Sequence, residues 1–210
     1  EKESRRKCDA VDKSFYRDTW AEVDLDAIYN NICAMKARLV EDVRLCAVVK
    51  ADGYGHGDIQ VAETALEAGA DFLAVAFLDE AIGLRNKGIT APILVLGAIR
   101  ACDARIAAEY GISVTVFRKE WLLEAAAGSA YGKPLYIHLK CDTGMGRIGF
   151  RTAEELMEAE EILDEIECME IEGLYTHFAC ADGMDLSYYE RQKEKFSRFI
   201  RSLRKKPPLI

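Results

Sequence analysis

A lysine that closes a short apolar run and opens a glycine-rich turn is placed for covalent chemistry. Lys50 has that setting, in Ala47-Val48-Val49-Lys50-Ala51-Asp52-Gly53-Tyr54-Gly55-His56-Gly57. Along a strand alternate residues share a face, so Cys46, Val48 and Lys50 lie on one side and Ala47 and Val49 on the other. A lysine held among apolar neighbours loses the solvation that favours its charged form, and the neutral amine is the form that attacks a carbonyl. A lone lysine ending a strand is more simply a solvated charge. The residues after Lys50 favour chemistry: Gly53, Gly55 and Gly57 permit close backbone approach to a ligand, and Tyr54 offers a hydroxyl about one turn further on. Three glycines alone are a weak phosphate signal, because any strand-to-helix turn can use them.

Two further constellations carry polar groups at strand ends. In Tyr136-Ile137-His138-Leu139-Lys140-Cys141-Asp142-Thr143-Gly144-Met145-Gly146-Arg147 the alternation turns Tyr136, His138 and Lys140 to one face, a set that is costly to bury without partners. Gly173-Leu174-Tyr175-Thr176-His177-Phe178 puts His177 at the end of another run, where a satisfied core histidine is the simpler reading unless other polar groups converge there. Asp142-Thr143-Gly144 also matches the aspartic-protease triplet. Those enzymes need two carboxylates sharing a proton within an all-β dimer or pseudo-dimer, which the helical segments flanking this one do not suit.

The elements that must position these residues alternate. Apolar runs at 45–49, 72–77, 93–96, 112–117, 135–140 and 171–178 are separated by helical patterns, the rhythm of repeated βα units around a parallel sheet. Ile59, Ala62, Ala65 and Leu66 share one helix face that stops at Gly69. Leu156, Ala159, Leu163 and Ile166 share another, and Tyr189, Phe196, Phe199 and Leu203 a third, ahead of Pro207-Pro208. Residues 20–25 alternate like a half-buried strand, and a helix is expected from Asp26 as N-cap to about Arg38. Leu209-Ile210 reads as the start of a seventh strand. Without a Gly-x-Gly-x-x-Gly after the first strand, a (β/α)₈ barrel, incomplete at about six βα units, is favoured over an open doubly wound sheet.

Composition narrows the function classes. The 210 residues are half hydrophobic and 30% charged, an ordinary globular balance. A net charge of −8 argues against a non-specific nucleic-acid binder, and the short runs Arg5-Arg6-Lys7 and Arg204-Lys205-Lys206 read as solvated tails. Seven scattered cysteines without Cys-x-x-Cys spacing suggest reduced thiols in a cytoplasmic protein, and no metal site is expected. No apolar run has the length of a membrane span, and no membrane partner is expected. Residues 1–18 are expected to be a polar N-terminal extension ahead of one domain over 19–210.

Taken together, the segment around Lys50, the segment from His138 to Arg147 and Gly173 to Phe178 closely resemble bacterial alanine racemases. The likeness runs from about residue 19 to the end and includes Trp20-Ala21-Glu22-Val23-Asp24-Leu25-Asp26-Ala27-Ile28 and Leu73-Ala74-Val75-Ala76-Phe77-Leu78-Asp79-Glu80-Ala81. The resemblance implies a pyridoxal 5′-phosphate-bearing barrel followed by a mostly β C-terminal domain, in a homodimer that racemises alanine by two bases and supplies D-alanine for peptidoglycan. It implies that Lys50 holds the cofactor and acts as one base, that Tyr54 contacts its phosphate, and that Arg147 meets its phenolic oxygen near the substrate carboxylate. It also implies that Lys140 is often carbamylated, which would convert an inward cation into an anion able to orient Arg147. His177 matches a histidine supporting the arginine at the pyridine nitrogen. That arginine keeps the nitrogen unprotonated, which limits side reactions.

By the same resemblance the barrel count begins at the Lys50 strand, and the strand at 20–25 packs with the C-terminal domain. The second base, the phosphate-binding serine after the seventh strand and the pyridine-contacting arginine of the eighth lie outside the 210 residues. The chain is therefore expected to be an N-terminal portion, inactive alone. Two alternatives stay open: a serine or broad-specificity racemase of the same fold, and a non-catalytic barrel resembling the small proteins of pyridoxal-phosphate homeostasis.

Overall fold

Runs rich in Val, Ile and Leu that are apolar on both faces build parallel strands covered by helices, and six such runs do so here. A computed structural model describes residues 19–127 and 132–210, so the extension expected at 1–18 lies outside the described residues. The strands are β1 (Cys46–Val48), β2 (Phe72–Val75), β3 (Ile93–Val95), β4 (Ser113–Val116), β5 (Leu135–Lys140) and β6 (Met169–Tyr175). Helix α1 (Leu25–Lys36) precedes them, and a single helical turn, α2 (Lys50–Gly55), follows β1. Then come α3 (Asp58–Glu67), α4 (Leu78–Asn86), α5 (Ala104–Glu109), α6 (Lys119–Ala127), α7 (Ala153–Asp164) and α8 (Ser187–Ser202).

The six strands form one sheet in the order β1-β2-β3-β4-β5-β6, every pair parallel. A doubly wound sheet reverses its order at a switch point, whereas this one never does. Successive crossovers of one hand therefore stack all the helices on one side, and the sheet curls as the staves of a (β/α)₈ barrel. A seventh stave begins: Leu209 bridges Gly173 in parallel, its N–H donating to Glu172 O (3.1 Å) and its carbonyl accepting from Leu174 N (3.0 Å).

The two faces of the sheet differ as the alternation predicts. Leu73, Val75, Val114 and Ile137 join Ala65, Leu122 and Leu156 of the helices in one apolar layer. Each fully buried leucine there contributes about 1.5–3 kcal/mol. The concave face holds Cys46, Val48, Ala74, Leu94, His138 and Tyr175 around a cavity of 460 Å³. Val49 is buried on the helix side, as expected. Lys50 lies two residues past the end of β1, in the turn that follows it. His177 likewise lies two residues past β6.

One strand prediction fails. Among the described residues 20–24 pair with no strand, and Trp20 is 63% exposed, its indole N–H donating to Glu22 Oε1 (3.0 Å). Alternation says which face a strand would bury, but a strand also needs a ladder partner. The helix starts one residue before the expected cap, because Asp24 accepts from Ala27 N (3.0 Å) and so takes the N-cap position itself. Tyr136 also departs from its expected burial. His138 and Lys140 are each 4% exposed, but Tyr136 is 38% exposed near the opposite end of β5.

The pairing of β5 with β6 shifts register between Ile137 and His138, bringing His138 opposite Gly173. A Cβ at Gly173 would lie 2.4 Å from His138 Nδ1. Gly173→Ala is expected to lower the unfolding free energy by about 1–3 kcal/mol, as overpacking does, measured by urea denaturation with the slope unchanged.

Candidate active site

Lys50 opens a turn of unusual hand. Ala51, Asp52, Gly53 and Tyr54 all have φ between 52° and 59°, a left-handed helical turn in which only one residue is glycine. For L-residues that conformation costs about 1–2 kcal/mol each, so Ala51, Asp52 and Tyr54 must be held by their surroundings. Gly53 N donates to Val49 O (3.0 Å) and Gly57 N to Asp52 O (2.9 Å). The Asp52 carboxylate accepts from Asp58 N (2.9 Å), tying the turn to the start of α3. Glu80 in the first turn of α4 reaches across: one carboxylate oxygen accepts from Ala51 N (2.7 Å), the other from Ala76 N (2.7 Å) and Phe77 N (3.0 Å). The result is that the half-buried Lys50 amine stands 5.7 Å from the centre of the Tyr54 ring.

The end of β5 supplies a second lysine. Lys140 is buried, with its Nζ 5.2 Å from the centre of the Tyr175 ring, and Tyr175 is held by a 2.8 Å hydrogen bond to Thr115 Oγ1, which itself donates to Val95 O (2.7 Å). Burial pushes the Tyr175 phenol up to about 12, so it serves as a neutral floor. Deeper in the sheet, His138 Nε2 meets Glu172 Oε2 at 2.9 Å, and Ser113 Oγ donates to the same oxygen (2.6 Å). The carboxylate lies between the hydroxyl and the imidazole, which is the wrong order for a nucleophilic triad. This group anchors the strands below the site.

Past β5 the chain folds around Asp142, whose Oδ1 accepts from Gly144 N and Gly146 N, each at 3.0 Å. Burial alone would raise this carboxyl. The two backbone donors, with Lys195 and Arg151, overcome that and hold it below its ordinary value. Asp142 is thus committed to shaping the loop that ends in Arg147, which is itself exposed.

Lys50, Lys140, Arg147 and His177 are close enough to perturb one another. Desolvation, then Arg147 and Lys50, bring the Lys140 ammonium down to about 8, with Asp142 opposing. Desolvation, Arg147, Lys140 and Lys50, in that order, lower His177. Four residues from three strand ends therefore converge, as the sequence suggests, with Tyr54 at the edge. Among the described residues the charge around this pocket is mainly positive, with Asp142 offsetting Lys140 only in part, an arrangement that suits an anionic ligand.

Residue pattern alone did not point to Glu80, Tyr175 or Thr115 as parts of this site. Glu80 has a local signature, an acid three residues after Phe77, which is its helix cap. Nothing in the spacing, though, tells that its second oxygen grips the backbone beside Lys50.

Residues 23–210 match the family described as alanine racemase, N-terminal domain. The alanine racemase of Geobacillus stearothermophilus is 53% identical over 196 residues, 93% of this chain and 50% of that protein. Alanine racemase 1 of Bacillus subtilis is 51% identical, over 91% of this chain and 49% of its own. Among solved structures, an alanine racemase from Bacillus anthracis with bound L-Ala-P superposes with a TM-score of 0.87 at 50% identity, covering 90% of this chain and 49% of that one. A histidine racemase from Leuconostoc mesenteroides reaches 0.84 at 32% identity, covering 89% and 50%. The chain spans about half the length of the curated relatives it matches.

Two outcomes are expected from this geometry. Glu80→Gln should cost about 1–3 kcal/mol, since an amide cannot accept from three N–H groups as a carboxylate does, and should raise hydrogen exchange at Ala51 before that of the strands. Lys140→Met, in CO₂-free buffer, should be more stable than the parent below pH 8. The folded chain holds the Lys140 proton less tightly (about 8) than the unfolded chain (10.5), so the parent gains stability as pH rises between those values and the margin narrows. Thermal melts at a series of pH values measure both the offset and its closing.

Proposed function

Because the chain belongs to the alanine racemase N-terminal domain family, we propose that its cationic strand-end cluster holds pyridoxal 5′-phosphate and that the protein built on it interconverts L-alanine and D-alanine. The observation that carries this reading is the convergence of Lys50, Lys140, Arg147 and His177, each lysine against a tyrosine ring, with Asp142 opposing the Lys140 shift only in part. A phosphate, a phenolate and an amino-acid carboxylate are the anions such a pocket suits. The donor set therefore fits the cofactor: an amine to attach it, a phenol and a guanidinium to hold its oxygens.

When bound, pyridoxal phosphate supplies an electron sink that acidifies the α-hydrogen of an attached amino acid. Lys50 would hold the cofactor, and its amine would remove or return the α-hydrogen on one face of the substrate carbon. Tyr54 would offer its hydroxyl to the phosphate. Arg147 would hold the phenolic oxygen and the substrate carboxylate, both of which a planar guanidinium can serve. His177, held below its ordinary pKa, is neutral near pH 7 and can accept a hydrogen bond from an arginine, which an imidazolium could not. Lys140, at about 8, keeps far more neutral amine near pH 7 than an ordinary lysine. Its nitrogen can add CO₂ with loss of one proton, giving a carbamate anion that offsets Arg147.

In the same reading residues 19–210 form the cofactor-bearing barrel domain of a cytoplasmic homodimer that supplies D-alanine to the cell wall. Among the described residues no helix is long and apolar enough to cross a membrane. The fold likeness to a histidine racemase supports a second reading, a racemase of other or broader side-chain preference. Competing alanine against serine and histidine separates the two. A barrel that binds the cofactor and turns over no amino acid would mark the homeostasis alternative.

The decisive experiment uses a chain that also carries the remaining half of its relatives' length. Borohydride reduction with pyridoxal phosphate should label the Lys50 peptide, and D-alanine should form from L-alanine. Lys50→Ala should lower kcat/KM by at least about 10³-fold, the scale of a lost general base. Label on another lysine, or racemisation that survives Lys50→Ala, would overturn the assignment.

A further inference from the structure

Helix α8 contributes no cation to the cluster, yet one stripe of it touches both loops that do. Tyr188, Gln192 and Lys195 are spaced four and three residues apart, which puts them on one helical face. Tyr188 Oη donates to Gly144 O (2.6 Å) and Lys195 Nζ to Asp142 O (2.9 Å), both on the loop that leads to Arg147. Gln192 is 1% exposed. Its Nε2 donates to Thr143 Oγ1 (3.2 Å) on that same loop and to His177 O (3.3 Å) on the other, while its Oε1 accepts from Ala179 N (2.9 Å). Thr143 and Thr176 add a direct rung between the loops, their hydroxyls 2.8 Å apart.

We infer that Gln192, seconded by Tyr188, is a positioning residue that sets the distance between the Arg147 loop and the His177 loop. Arg147 and His177 are both exposed, so burial of their own side chains does not fix them. Their places come from the backbone on which they stand. A leucine or methionine would fill the Gln192 site at no desolvation cost, whereas a buried amide is tolerable only when its donors and acceptor are all matched. Here the matched partners lie on both loops, so separating the loops breaks those bonds. The fit is close: a Cβ at Gly144 would lie 2.5 Å from Tyr188 Oη and 3.4 Å from Gln192 Cγ. The bearing on cofactor affinity rests on the pyridoxal-phosphate reading above. The geometry between the loops does not.

The test compares Gln192→Met and Tyr188→Phe with Ile200→Ala, an α8 change packed against the core and off the stripe that touches the loops, in two readouts. The first is the titration of His177 by NMR without cofactor. The chain has three histidines, so the signal is separable. In the parent it should titrate below the ordinary histidine value, because it is partly desolvated and because Arg147, Lys140 and Lys50 stand near it. Gln192→Met should move it upward as the loops part. Tyr188→Phe should do the same to a smaller extent, and it decides the matter if Gln192→Met does not fold. The second readout is the dissociation constant for pyridoxal phosphate, which Gln192→Met should raise about tenfold, the scale on which a lost orienting hydrogen bond acts. Ile200→Ala should lower the melting temperature and move neither. Unchanged titration in both stripe variants, or an equal shift in Ile200→Ala, would overturn the inference. A parent that binds no pyridoxal phosphate would overturn the cofactor reading and leave the titration arm to decide this one.

Discussion

Burial of the Lys140 ammonium beside Arg147 and Lys50 is the constraint to which the surrounding structure answers. Holding that charge away from water costs free energy: desolvation, then Arg147 and Lys50, bring the Lys140 ammonium down to about 8. The scaffold offsets that cost elsewhere: an apolar layer between sheet and helices, a left-handed turn gripped by Glu80, and a loop wound around Asp142. Each device spends stability on one geometry. Together they leave a pocket whose missing ingredient is negative charge, which a phosphorylated cofactor and an amino-acid carboxylate would bring.

The devices work by backbone more than by side-chain packing. Three non-glycine residues in left-handed conformation beside Lys50 remain there because Glu80 accepts from the turn's Ala51 N–H and the Asp52 carboxylate, accepting from Asp58 N, ties the turn to α3. Asp142 behaves likewise: although buried, it turns Oδ1 to the amides of its own loop and offsets Lys140 only in part. A carboxylate turned toward Arg147 instead would have closed the pocket to anions.

Periodicity made the parallel strands and the faces of α3, α7 and α8 legible, because burial imposes a repeat that survives in residue order. The same rule located Lys50, Lys140 and His177 at strand ends. It failed at residues 20–24, where alternation had no ladder partner to act through, and at Tyr136, where the inward face runs out into solvent. It was silent on Glu80, Tyr175 and Gln192, because their roles depend on contacts tens of residues away in sequence: 29 from Ala51 to Glu80 and 49 from Thr143 to Gln192. In α8 the apolar face drew the reading, and the polar stripe beside it carried the contacts to the site.

The strand order bears on how such a chain is made. Because β1 through β6 pair strictly in sequence, each new βα unit docks on an edge that already exists and waits for nothing downstream. Behind α8, the buried Glu160 accepts from Arg204 N and Lys205 N, each at 3.0 Å, and steers the chain back to β6. There Leu209 is already in register with Gly173. Emerging from a ribosome, the polypeptide could thus settle stave by stave in the order of its synthesis, with each edge acting as the template for the next.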